Sequence, residues 1–207
     1  MPRTARAIGA LLAAAALLSG CGGSDHGARP AGAPTADPNR PPSGLHWEKW
    51  QEALLPYGDD GPKHVESDAA TGFSDTPQGA ALAAMQHAYR STNAPDSTWY
   101  TVAARVLVAN PGKDAWVTTR ALYSVKAVDP SAVQRYIGYQ ITSWTKDRAA
   151  ITLYTSYPDG SLLATDTVVT WIGGDWRLQL PDPADKTPTK HAVLQAPAAM
   201  VKVEARS

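Results

Sequence analysis

Beyond Asp129 and Pro130 the apolar residues of this chain change their period, and that switch restricts the fold more than any other feature. In "AVQRYIGYQITSW", Val133, Arg135, Ile137, Tyr139 and Ile141 alternate with Gln134, Tyr136, Gln140 and Thr142, the spacing of a strand with two distinct faces. The stretches "AAITLYTSY" and "LLATDTVVTW" are rich in β-formers in the same way, and "DWRLQLP" sets Trp176, Leu178 and Leu180 on one face. Turn residues separate them: "KDR" at 146–148, "PDG" at 158–160 and "GGD" at 173–175. Four strands joined by short turns predict an antiparallel meander.

Ahead of the switch the period is helical. In "TPQGAALAAMQHAYRSTN", Thr76 or Asp75 is suited to cap a helix and Pro77 to occupy its first position, where a missing N–H costs nothing. Ala80, Leu82, Ala83, Met85, Ala88 and Tyr89 then continue an apolar face, which predicts a helix from Pro77 to about Thr92. Trp99, Val102, Ala103, Val106 and Leu107 follow at i, i+3, i+4, i+7 and i+8 behind Ser97, and Asn110, Pro111 and Gly112 read as the stop of that second helix. A third, shorter helix is expected from Asp114 to about Tyr123. Helices gathered before a sheet define an α+β layer architecture.

The folded part is expected over residues 45–183. Within it, "LHWEKWQEALLPYGDDGP" fits either a helical turn or an irregular strand that packs over the domain through Trp47 and Trp50. Residues 21–44 are Gly, Pro, Ala, Asp, Ser and Thr with almost nothing apolar, the composition of a disordered tether. Residues 184–207 read as a flexible tail. Lys plus Arg number 19, as do Asp plus Glu, and the basic residues are scattered singly, which argues against nucleic acid as a partner. Asp59 and Asp60 before Gly61 and Pro62 read as a solvated turn rather than a metal site.

The first twenty residues have the layout of a secretory leader: Arg3 and Arg6, then the apolar run "AIGALLAAAALL". That run is too short to span a bilayer, which takes roughly 20 apolar residues. Leu18, Ser19, Gly20 and Cys21, the chain's single cysteine, resemble the lipobox of bacterial lipoproteins. The resemblance implies cleavage before Cys21 and a thioether-linked diacylglycerol on it, usually with acylation of the new amino terminus. Two or three acyl chains hold a protein stably on a bilayer where one does not, at about 0.8 kcal/mol per buried CH₂. The competing reading is a plain secretory signal with an incidental cysteine, or a free buried thiol. With Cys21 lipidated no thiol remains, and the domain must stand on its apolar core without a disulfide.

Helices followed by a curved antiparallel sheet that closes with "VVTWIGGDWRL" resemble the NTF2-like, cystatin-like cone, a superfamily that includes isomerase-type enzymes and periplasmic domains of conjugation and secretion proteins. More narrowly, "LLP...GP", "GF.DTPQGAALAA" and "W..GDWRL.LP" are similar to an actinobacterial domain of unknown function found in tethered proteins. The fold class expected is therefore α+β, with N-terminal helices packed on a curved four-stranded meander. Neither resemblance carries catalytic residues over to this chain.

The residues themselves show no nucleophile elbow, phosphate loop or zincin motif, and His26, His46, His64, His87 and His191 lack ligand spacing. No catalytic, cofactor or metal residue is expected. Ser74 beside Asp75 is better explained by helix capping than by nucleophilic chemistry, and His87 is expected at or near the surface. Asp166, the one acid well inside the meander, either faces a cavity of the cone or faces solvent. The seven tryptophans fill a core or form a ligand platform. The functional expectation is a lipid-anchored module at the extracytoplasmic face of the cell membrane. It would have no enzymatic activity and would bind a protein partner at the envelope, in a conjugation or secretion apparatus. The alternative is a small-ligand-binding or isomerase-like protein that uses the cone, with Asp166 as its carboxylate.

Overall fold

The computed structural model describes residues 36–125 and 128–205. Two short hairpins come first: β1 (His46–Trp50) with β2 (Ala53–Tyr57), and β3 (His64–Glu66) with β4 (Ala69–Thr71). Three helices follow: α1 (Pro77–Asn93), α2 (Trp99–Val106) and α3 (Pro111–Arg120). The chain then enters the sheet with β5 (Arg135–Thr145), β6 (Arg148–Ser156), β7 (Leu162–Ile172) and β8 (Asp175–Gln179), the expected meander. Two further strands join it: β9 (Lys190–Val193) beside the first half of β7, and β10 (Val201–Lys202) beside β5. All six are antiparallel, in the order β10, β5, β6, β7 and then β8, with β9 also on β7.

This arrangement overturns the NTF2-like cone. The sheet has six strands instead of four and is open, with β10 at one edge and β8 and β9 at the other. The helices stand in the middle of the chain, behind two hairpins, and do not lead it. The physical cause lies in the C-terminal segment, whose strands widen the sheet at both edges and do not bring them together. With the cone go the supports it lent to an isomerase and to a conjugation or secretion role.

The ends of the domain also differ from expectation. Gln78 is buried and donates to the carbonyls of Asp37 and Arg40, at 2.9 and 2.7 Å, and Pro42 is buried, so residues 37–42 pack on the domain. At the other end, Met200 packs with Tyr154 and Ala164 on the face of the sheet away from α1, and Val203 is buried in the main core.

Helix α1 is the centre of the core. Fourteen of its seventeen residues are buried, as a helix covered on every side must be. Thr76 is its cap, accepting from the Gly79 amide at 2.9 Å, with Pro77 in the first turn. Position 79 admits only glycine without rearrangement, because an added Cβ would run into the Ser74 carbonyl. Two loops remote in sequence are joined at this end. The Asp175 carboxylate accepts from the amides of Gly72 (2.8 Å) and Phe73 (3.1 Å), and the Trp176 indole donates to the Ser74 carbonyl (2.9 Å). Asp60, expected in a solvated turn, accepts from the Thr76 hydroxyl at 2.8 Å.

The second and third helices are displaced from their expected bounds. α2 ends at Val106, because Leu107 bridges to Leu178 and the Val108 amide donates to the Leu178 carbonyl. Asn110 and Pro111, expected to stop α2, start α3: the Asn110 side chain accepts from the Lys113 amide and Pro111 takes the first position.

Candidate functional site

A cavity of about 320 Å³ lies between the C-terminal half of α1 and the α1-facing side of the sheet. Small-molecule sites span about 300–1,000 Å³, so this one is at the lower end. One wall carries Leu153, Leu163 and Leu178 from β6, β7 and β8; the helix contributes Ala88, Ser91 and Thr92. Gln134, Tyr136, Tyr157 and Thr165 are among its polar groups.

Three of them, Tyr157, Gln134 and Tyr136, are linked in a chain. The Tyr157 hydroxyl donates to the Gln134 side-chain carbonyl at 3.2 Å, the Gln134 amide reaches the Tyr136 hydroxyl at 3.4 Å, and Tyr136 donates to the Met85 carbonyl at 2.8 Å. Burial pushes the Tyr136 phenol far above its ordinary range, with the neighbouring Tyr89 adding to the effect, and pushes Tyr89 itself up to about 12. Both therefore stay neutral.

Asp166 is part of this lining, yet its carboxylate is aimed elsewhere. On β7 it alternates with Thr165 and Thr167, which sets it on the opposite face. There it accepts from its cross-strand partner Thr152 at 2.7 Å and lies 3.2 Å from His191 Nε2, with half of its side chain exposed. Of the two expectations for Asp166, facing solvent is the one the geometry matches. The His191 pairing is hidden from the sequence because the four residues of β9 are too few to mark a strand.

The tryptophans are elsewhere. Trp176 is fully buried, and Trp47, Trp50, Trp99, Trp116, Trp144 and Trp171 pack against the main core; none lines the cavity. Trp171 and Trp176 meet edge to face at 5.3 Å across the turn between β7 and β8.

Two residues that the sequence did not single out are buried cations. Arg90 donates to the Gln86 side-chain oxygen (2.8 Å), the Asp68 carbonyl (3.2 Å) and the Tyr57 hydroxyl (3.1 Å), and its guanidinium lies 4.7 Å from the centre of the Trp50 ring. Arg120 pairs with Asp96 at 2.8 Å and lies over Trp99 and Tyr123. Hydrogen bonds from Ser124, Arg120 and the Val125 amide hold Asp96 down to about 2. Arg90 ties α1 to the two N-terminal hairpins, and Arg120 ties the end of α3 to the loop at Ala94 and Asp96. No periodic signal marks them, since each follows an otherwise ordinary helical run.

His87, expected near the surface, is fully buried: its Nε2 donates to the Trp176 carbonyl at 3.0 Å and its ring meets Phe73 edge to face. Among the described residues no three His, Cys, Asp or Glu side chains gather as a metal site, and no helix is long and apolar enough to cross a membrane. Cys21 and the rest of the lipobox lie outside the described residues.

Fold and site together define an α+β domain with an open antiparallel sheet, a buried helix and a small cavity between them. Residues 20–198 match the model of the family described as domain of unknown function DUF8175, and the chain belongs to that family. No curated protein matches it, and no solved structure does.

Proposed function

We propose that this chain is an extracytoplasmic domain held to the membrane by lipid on Cys21, and that it acts by binding and not by catalysis. The anchor is supported by the order of Leu18, Ser19, Gly20 and Cys21 directly after an apolar run. Binding is supported by the cavity. Burial keeps Tyr136 and Tyr89 neutral, Tyr157, Gln134 and Tyr136 are held in a chain of hydrogen bonds, and the acid at its edge turns its carboxylate to the opposite face, an arrangement that supports holding a molecule over reacting with it. Two readings of the occupant stand: a protein partner at the envelope, and a small ligand, which the concave, partly apolar space favours.

The anchor has a direct test. Cells producing the Cys21→Ala chain should incorporate no labelled fatty acid into it, and the protein should leave the membrane fraction. Unchanged labelling and unchanged fractionation would sink the proposal.

A further inference from the structure

The small-ligand reading is deepened by the charge of the cavity wall. The wall is made mostly of uncharged groups: leucine side chains, small residues of α1, threonines, the amides of Asn93 and Gln179, and the linked Tyr157, Gln134 and Tyr136. Two charged residues belong to the lining. Asp166 sends its carboxylate to the other face, to Thr152 and His191. Lys190 pairs with Thr165 on the cavity side of the sheet, but it is exposed and so stands at the rim, in water. An ionised ligand group inside would lose part of its hydration and meet no buried partner of opposite charge, which disfavours it. A neutral hydroxyl, carbonyl or amine would meet hydroxyl and carboxamide groups that both donate and accept.

We propose that the cavity between α1 and the sheet is a binding site for a small uncharged molecule with an apolar body and one or two hydrogen-bonding groups. The apolar body lies against Leu153, Leu163 and Leu178, and its polar group reaches Gln134 or Thr165. This inference rests on the small-ligand reading above.

Two dyes with one skeleton separate charge from shape. N-phenyl-1-naphthylamine is neutral with a single N–H, and 8-anilino-1-naphthalenesulfonate is the same ring system carrying a sulfonate. Each would be titrated by fluorescence into the full chain bearing Cys21→Ala, so that no acyl chain competes for the probe. The neutral dye should bind saturably at one site, about tenfold or more tighter than the sulfonate. Thr165→Phe, which fills the space from the sheet, should weaken it about tenfold or more while circular dichroism stays unchanged. Thr92→Trp does the same from an exposed position on the helix, and so serves if Thr165→Phe fails to fold. Sulfonate binding as tight as the neutral dye would overturn the uncharged class and leave the ligand reading standing. Saturable binding of neither dye would overturn both. Neutral binding indifferent to both substitutions would place the site elsewhere and end the proposal.

Discussion

Replacing Asp175 by alanine is expected to lower the unfolding free energy by about 3 kcal/mol, since hydrogen bonds to a charged acceptor contribute about 1.5–3 kcal/mol each. Asp175 accepts from the amides of Gly72 and Phe73, and also from its own neighbour Trp176 at 2.9 Å. Without the carboxylate these donors lose their partner at a junction where Phe73 is almost fully buried, and only partial access for water softens the loss. The effect should spread to the start of α1, because the same junction holds the Ser74 carbonyl against the Trp176 indole. Asp175→Asn keeps one side-chain acceptor and should cost about half as much. Urea unfolding followed by tryptophan fluorescence checks both variants. A loss below about 1 kcal/mol for Asp175→Ala would mean that the Gly72–Phe73 turn is held by something other than this carboxylate.

Acidification should remove about 3 kcal/mol of stability between pH 6.5 and 4 through His87 alone. Burial is the first cause of its shift, pushing the imidazole from its ordinary 6.5 down to about 4; the hydrogen bond to the Trp176 carbonyl opposes this, and Arg90 and Arg177 add to the lowering. The direction follows from which state binds the proton. Below 6.5 the unfolded chain protonates His87 while the folded chain does not, so stability is full above that pH, falls as pH drops toward 4, and levels off below it. His87 Nδ1 is buried and has no hydrogen-bond partner, so the N–H formed by protonation there would find no acceptor in the folded state. In His87→Gln the side-chain amide can still donate to the Trp176 carbonyl, but nothing titrates. Stability measured by urea unfolding at pH 7, 6, 5 and 4 should therefore converge between wild type and variant as the pH falls. Parallel curves would show that His87 is not the group responsible.

The parts of the fold that were legible are those where a single period persists over many residues. Helix α1 announces itself through Thr76, Pro77 and a run of alanines, and β5 to β8 through alternation bounded by glycine turns. The two N-terminal hairpins were not legible for a specific reason. Their two-residue turns place Gln51 and Glu52, and Ser67 and Asp68, at positive φ, where Asn-Gly is the usual signal. Tertiary contacts hold them there. The Gln51 carbonyl accepts from the Tyr89 hydroxyl, and the Asp68 carboxylate accepts from the Trp50 indole and the Thr98 hydroxyl. β9 and β10, of four and two residues, are too short to show a period at all, and their pairing is what opened the expected cone into a wider sheet.

The cavity was illegible for the same kind of reason. Its wall draws on residues 88–93, 134–136, 153–167 and 178–190, which no local pattern brings together. Sequence did select Asp166 as the acid within the meander, and alternation limited it to two faces. Choosing between those faces required knowing that Thr165 and Thr167 look toward α1 and that His191 returns along β7. The buried Arg90 illustrates the limit most sharply: its partners come from residues 57, 68 and 86 and its stacking from Trp50, so its burial is a property of the assembled hairpins and not of the helix.

The central proposal, that the domain is carried on a lipid at Cys21, is tested most directly by the mass of the amino-terminal peptide of the protein purified from the membranes of cells that produce it. The account predicts a mature chain that begins at Cys21 and carries a diacylglycerol on its sulfur. A peptide that retains residues before Cys21, or one whose Cys21 bears a free thiol, would contradict it.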